Sequence, residues 1–249
     1  MTTLTGRDAR SVDGDRVPRG LPRGQAYPPL DRGHAAARLA AGAVALALAL
    51  TLVGRALTGI DALHWLTDRE AQASRWFVAH GSARLDSVTG VGSRIAETAT
   101  CAALLLVAVL VLRWWLGRWR ESLTLVVALT GELLIFLAVS ALVERDRPEV
   151  RHLDAAPPTS SFPSGHTAAA VALYGCLAVI VWRQVTRRGV AVVLVGLLLL
   201  LPVAVGLSRL YRGMHHPSDV VFGALLGGLW LWLVVRTLLP NRPPHALPG

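Results

Sequence analysis

Lysine is absent from this chain, and all 25 of its basic residues are arginine. Cysteine is scarce: only Cys101 and Cys176 occur, both in or at the edge of apolar runs, which argues against a disulfide and leaves no metal-ligand spacing. Charged residues are also few, 16% of 249, against 53% hydrophobic residues and a mean hydropathy of +0.49. Soluble domains of this length seldom combine such values, so the composition points to an integral membrane protein. The net charge of +9 would raise the question of nucleic acid in a soluble protein. Here the arginines gather at the ends of apolar runs and in the N-terminal arm, with no recognised nucleic-acid motif. They read as topology charges, and nucleic acid is not an expected partner. No internal repeat is evident.

What the chain does contain is a series of long apolar runs, at residues 35–53, 95–112, 123–143, 167–182, 190–207 and 220–239. A bilayer core takes about 20 helical residues, with a range of about 17 to 25. Once flanking turns are added the runs give six spans, the fourth being shortest unless its polar Ser-Gly-His entry forms the first turn. The expected fold is all-α, a polytopic membrane protein of six transmembrane helices. Loop 54–94 mixes Trp65, Trp76 and Phe77 with Asp61, Asp68, Glu70 and Asp86, and reads as short interfacial helices on the outer side, roofing the site. Residues 1–33, rich in Arg, Asp, Gly and Pro, are expected to be a disordered basic arm. The arm is too long and too broken by proline to front a cleavable signal peptide, so the first span should be retained. Residues 34–239 form the expected membrane domain and 240–249 a tail.

Orientation follows from the short loops. Arg113, Arg118 and Arg120 lie between spans two and three, Arg183, Arg187 and Arg188 between four and five, and Arg236 and Arg242 after six. With six spans these all fall on the side of the N-terminal arm, which the positive-inside rule makes cytoplasmic. Both termini are then expected inside, and Trp114, Trp115, Trp119 and Trp182 fit an inner-interface belt.

The outward loops break this trend, because they too carry arginine. The segment after span three reads Glu144-Arg145-Asp146-Arg147-Pro148-Glu149-Val150-Arg151-His152. The mouth of span four reads Pro163-Ser164-Gly165-His166, where unpaired first-turn N–H groups at the positive end of a helix offer an anion site. The segment after span five holds Ser208, Arg209, His215, His216 and Asp219. His215 and Asp219 are four apart around Pro217; on one helical face, the carboxylate would accept the Nδ1 proton and leave Nε2 nucleophilic. An Asp cap beside an interfacial His is the alternative reading of that pair.

Together the three segments resemble the type 2 phosphatidic acid phosphatase family, lipid phosphatases that share a core with vanadium haloperoxidases. The family signature is Lys, six residues, Arg-Pro; then Pro-Ser-Gly-His; then Ser-Arg, five residues, His, three residues, Asp. This sequence matches it at Arg147-Pro148, at Pro163 to His166, and at Ser208, Arg209, His215 and Asp219. One position departs: the signature lysine falls on Ser140, which brings no charge, and Arg145 is the candidate to supply it from another angle.

The resemblance implies a phosphatase acting on a lipid phosphate at the outer leaflet of the cell membrane. The candidate substrates are a polyprenyl diphosphate such as undecaprenyl diphosphate, phosphatidic acid or phosphatidylglycerol phosphate. It implies that His215 forms a phosphohistidine, oriented by Asp219, and that His166 protonates the departing oxygen and later activates water. Arg147, Arg209, Ser164 and Gly165 would bind the phosphate. Opposite protonation needs of the two histidines imply a bell-shaped pH profile. No Asp/Glu cluster or His/Cys set suggests a metal, so no cofactor is expected. Ser208 reads as a structural hydroxyl, and His152 and His216 as non-catalytic. Glu132, near the middle of span three, reads as a protonated or hydrogen-bonded packing group. The alternatives are a lipid phosphotransferase on the same scaffold and, because of Ser140, a catalytically silent membrane binding protein. The oligomeric state is not legible.

Overall fold

The computed structural model describes Tyr27 and residues 29–240. Most of the expected arm and nearly all of the expected tail lie outside the described residues. Eight helices follow in order: α1 (Arg32–Gly59), α2 (His64–Ala79), α3 (Ala83–Arg94), α4 (Thr98–Leu116), α5 (Arg120–Leu142), α6 (Gly165–Gln184), α7 (Arg188–Tyr211) and α8 (Pro217–Leu238). A 3-10 turn, Asp61–Leu63, leads into α2. Helix α1 starts inside the expected arm, where the Asp31 side chain accepts the His34 N–H at 3.0 Å and caps the first turn.

Six helices, α1 and α4 to α8, are long and apolar enough to cross a membrane, the shortest having 19 residues. At 1.5 Å per residue that one extends about 28 Å, close to the thickness of a bilayer core. The protein is thus an all-α polytopic membrane protein. Large apolar side chains such as Leu48, Leu52, Leu106, Leu134 and Leu200 are exposed on the spans, as expected where the solvent is lipid. Helices α2 and α3 occupy the region read as short interfacial helices, and α3 lies against α7.

Helix α6 is the hub, packed on α5, α7 and α8. Hydrophobicity does not drive helices together inside lipid, so close approach depends on small side chains. Ala168, Ala170 and Ala172 of α6 are fully buried. A Cβ on Gly223 of α8 would stand 2.4 Å from the Ser164 carbonyl oxygen, and one on Gly227 would stand 2.5 Å from that of Ala168. Those obstructing atoms are backbone and cannot swing aside. Gly223→Ala is therefore expected to cost about 1–3 kcal/mol of stability and to lower the thermal midpoint in detergent. Gly228→Ala, where nothing lies within 4 Å, should leave the midpoint unchanged.

Alternation of six spans brings the C-terminal ends of α5 and α7 and the N-terminal ends of α6 and α8 to one end of the bundle. The coil 143–164, the coil 212–216 and helices α2 and α3 meet there.

Candidate active site

His215 precedes α8 by two residues, on a coil that leaves α7 through Gly213. That glycine has φ +69°, and a Cβ there would stand 2.8 Å from the Arg151 carbonyl oxygen, so the turn demands glycine on two counts. The His215 ring is buried, with Nδ1 2.8 Å from the Ser161 carbonyl oxygen and 3.8 Å from Asp219 Oδ2. The expected direct hydrogen bond to the carboxylate is thus replaced by one to a backbone carbonyl. Asp219 Oδ2 instead accepts from Ser161 Oγ at 2.6 Å and from the His216 N–H at 2.8 Å, and Oδ1 accepts from Arg145 Nη1. A carbonyl only accepts, so Nδ1 carries the proton and Nε2 keeps its lone pair in the neutral ring. Burial pushes the His215 pKa below the usual histidine value; Asp219 pulls upward, and the charges of Arg209 and Arg147 add to the depression. Neutrality at pH 7 is the state a nucleophile needs.

His166 sits in the first turn of α6, after Ser164 in the capping position. The Ser164 N–H donates to the Asp219 carbonyl at 2.9 Å, which locks the mouths of α6 and α8 together. The Ser164 side chain is fully buried and lies 3.0 Å from Thr167 Oγ1. The charges of Arg209, His215, Asp154 and Arg147 all bear on the partly buried His166 ring. Among the described residues it makes no side-chain hydrogen bond. Gly165 serves packing at least as much as access, since a Cβ there would meet the Phe136 ring at 2.9 Å.

Two arginines complete the cluster. Arg147 donates from Nη1 to the Met214 carbonyl at 2.7 Å, and from Nη2 to that of Thr159 at 3.4 Å. Burial draws its pKa down, with Asp219 opposing. Arg209 is 3% exposed; its Nη1 donates to Ser93 Oγ at 2.6 Å and Asp154 Oδ2 at 2.7 Å. Its buried Nε has no partner among the described residues. A buried donor left unsatisfied costs about 1–3 kcal/mol, and an anion oxygen would satisfy it. Asp154 also takes a forked pair of bonds from Arg212, at 2.8 and 2.6 Å. Burial opposes its charge, but the hydrogen bonds from Arg212 and Ser93 and the two guanidinium charges outweigh that and hold its pKa below the usual Asp value.

Residues 121–243 match the family model of the PAP2 superfamily, a region that runs from α5 through α8 and contains all three motifs. That region belongs to the PAP2 superfamily. Its fold is similar to that of a solved transmembrane PAP2-type phosphatidylglycerolphosphate phosphatase from Bacillus subtilis. The TM-score is 0.68 at 22% sequence identity, over 77% of this chain and 93% of that one. At that identity the likeness speaks for the fold.

Against the superfamily pattern, two positions behave differently from expectation. Ser140 is partly buried near the end of α5 and makes no hydrogen bond among the described residues. Arg145 does not replace the missing lysine, because its guanidinium is committed to Asp219, to Ser218 Oγ at 2.8 Å and to Glu70 Oε2 at 2.6 Å. His152 Nε2 lies 2.9 Å from the Pro148 carbonyl oxygen and Ser208 Oγ donates to that of Ala204 at 2.7 Å. Glu132 is buried in α5, and its Oε1 has no hydrogen bond among the described residues. Sequence reasoning named Glu70 only among the charges of loop 54–94, and gave no site role to Ser93, Asp154, Ser161 or Arg212. The available signal was charge balance: arginines beyond those in the signature, gathered at one end of the bundle, need counter-charges.

Proposed function

We propose that this PAP2 member is a membrane lipid phosphatase that works through a phosphohistidine. The observation that carries the reading is the meeting of His215, His166, Arg147 and Arg209 at the joined mouths of α6 and α8. In the proposed first step, His215 Nε2 attacks phosphorus and the bond from phosphorus to the lipid oxygen breaks. His166 gives its proton to that departing oxygen. In the second step, His166 takes a proton from water, the resulting hydroxide attacks phosphorus, the P–N bond breaks and phosphate leaves. Arg147, Arg209, Ser164 and the first-turn N–H groups of α6 bind the equatorial oxygens, where preorganised donors contribute most to rate.

A lipid substrate is supported by the position of the cluster at the mouths of membrane-spanning helices, where a headgroup can reach it while the tail stays in the bilayer. Phosphatidylglycerol phosphate, named for the similar Bacillus subtilis protein, joins phosphatidic acid and undecaprenyl diphosphate as the test panel. Phosphate release from that panel by purified protein, retained in EDTA and lost in His215→Ala, is the expected result. Release that stops in EDTA and returns with magnesium would refute the metal-free mechanism, and silence on every lipid would favour the binding-protein reading. The arginine distribution supports an outward-facing site. A cysteine introduced at exposed Ser87 should then react with an impermeant maleimide in intact cells; reaction only after permeabilisation would reverse the topology.

The lowered His215 pKa sets the sign of the pH dependence. Nucleophilic activity needs the neutral ring, and neutrality persists below the ordinary histidine value of about 6.5. The acidic limb of kcat/KM, which reports the free enzyme, should therefore fall below that pH. A limb above it would contradict a buried neutral nucleophile.

A further inference from the structure

A second line of charge, which the phosphate chemistry itself does not use, lies behind Asp219. Glu70 projects from α2 and is 3% exposed; Arg145 follows α5 and is 9% exposed; Asp219 is 0% exposed. Three charges this deep would be costly unless every group were engaged. Glu70 Oε2 accepts from Arg145 Nη2 at 2.6 Å, and Oε1 accepts the Ser218 N–H at 2.6 Å. That amide is one of the donors the first turn of α8 leaves without an intrahelical partner. Arg145 Nη1 then reaches both Ser218 Oγ and Asp219 Oδ1. One carboxylate from the roof helix thus grips the first turn of α8 twice, at the Ser218 backbone and, through Arg145, at the Asp219 side chain.

The line continues to the nucleophile. Asp219 Oδ2 accepts from Ser161 Oγ, and the Ser161 carbonyl holds His215 Nδ1 at 2.8 Å. Asp219 itself stands 3.8 Å from Nδ1, so the carboxylate acts on the ring both by its charge at that distance and by fixing Ser161. Its own orientation is in turn fixed by Arg145. We propose that Glu70 is a positioning residue of the active site, acting through Arg145, Asp219 and Ser161 to hold the His215 ring, and that it makes the roof helix α2 part of the catalytic apparatus. The negative charge of Glu70 is essential to this role: without it, Arg145 is balanced by Asp219 alone and loses the anchor that sets its angle.

The inference rests on His215 being the nucleophile, so its test has one readout with turnover and one without. Full-length Glu70→Gln keeps the size and an acceptor for Ser218 while removing the charge. On phosphatidic acid in mixed micelles, kcat is expected to fall about tenfold with KM within about twofold, the pattern of lost transition-state positioning. The double variant Glu70→Gln/Arg145→Gln should be no slower than Arg145→Gln alone, since residues acting in series are not additive. Ring ¹⁵N NMR of histidine-labelled protein needs neither turnover nor a folded Arg145 variant, and the Nδ1 signal of His215 should shift in Glu70→Gln. Wild-type kcat in Glu70→Gln, losses that multiply in the double variant, or an unmoved His215 signal would each overturn the proposal. Absence of turnover in the wild type would count against the phosphatase reading alone, and the NMR shift would still decide the role of Glu70.

Discussion

Replacement of His215 by alanine is expected to lower kcat by at least about a thousandfold, the usual consequence of removing a covalent nucleophile, while KM changes little. The asymmetry follows from geometry. Phosphate would be held chiefly by Arg147, Arg209 and the mouth of α6, none of which depends on the imidazole for its own anchoring: Arg209 is fixed by Ser93 and Asp154, and Arg147 by the carbonyls of Met214 and Thr159. The ring is buried and linked to the Ser161 carbonyl, so its removal also leaves a small cavity and one unpaired acceptor. A modest fall in thermal midpoint should accompany the kinetic loss. Steady-state kinetics with a melting curve for the same preparation separates the two, since an unfolded variant loses both together.

Arg209→Gln is expected to reduce kcat/KM by about a hundredfold to a thousandfold, the scale of losing a preorganised charge at a developing oxyanion. This residue should matter more than Arg147. It is the more deeply buried of the two, and its Nε is a donor with no partner among the described residues. Its other face is held rigid by Asp154 and Ser93, so little ordering remains to be done when an anion arrives. Arg209→Lys should recover little, because an ammonium cannot reproduce a planar fork that bonds Asp154 and Ser93 while presenting Nε elsewhere. Recovery of full activity in the lysine variant would show that only charge is required there.

Much of the fold was legible because lipid imposes a simple rule, length and apolarity, and the six runs fall inside the six observed spans to within a few residues. The largest difference is α1, which continues past Val53 to Gly59 through Arg55. An arginine at a helix end extends its head to the interface and does not stop the helix. The site was legible where chemistry is local in sequence: the Pro-Ser-Gly-His mouth of α6, and the His215 to Asp219 spacing. Even there, helical logic placed the pair too close. Helix α8 begins only at Pro217, so His215 stands outside it and shares no helical face with Asp219. Its acceptor is a backbone carbonyl from 54 residues upstream, and a carbonyl leaves no mark in sequence. Arg145 looked like a substitute for lysine because its neutralising partner, Glu70, lies 75 residues away on another element. Asp154, which holds Arg209 and Arg212, sits in an irregular segment where no periodicity singles it out.

The central claim is that His215 becomes covalently phosphorylated while its ring is held from behind by Ser161 and Asp219. Its most direct test is rapid acid-free quenching of the purified protein during turnover of ³²P-labelled phosphatidic acid, followed by peptide mass spectrometry. Label that is stable to alkali, labile to acid and confined to His215 is the expected result. Sustained phosphate release with no label on His215, or with label on another side chain, would contradict it.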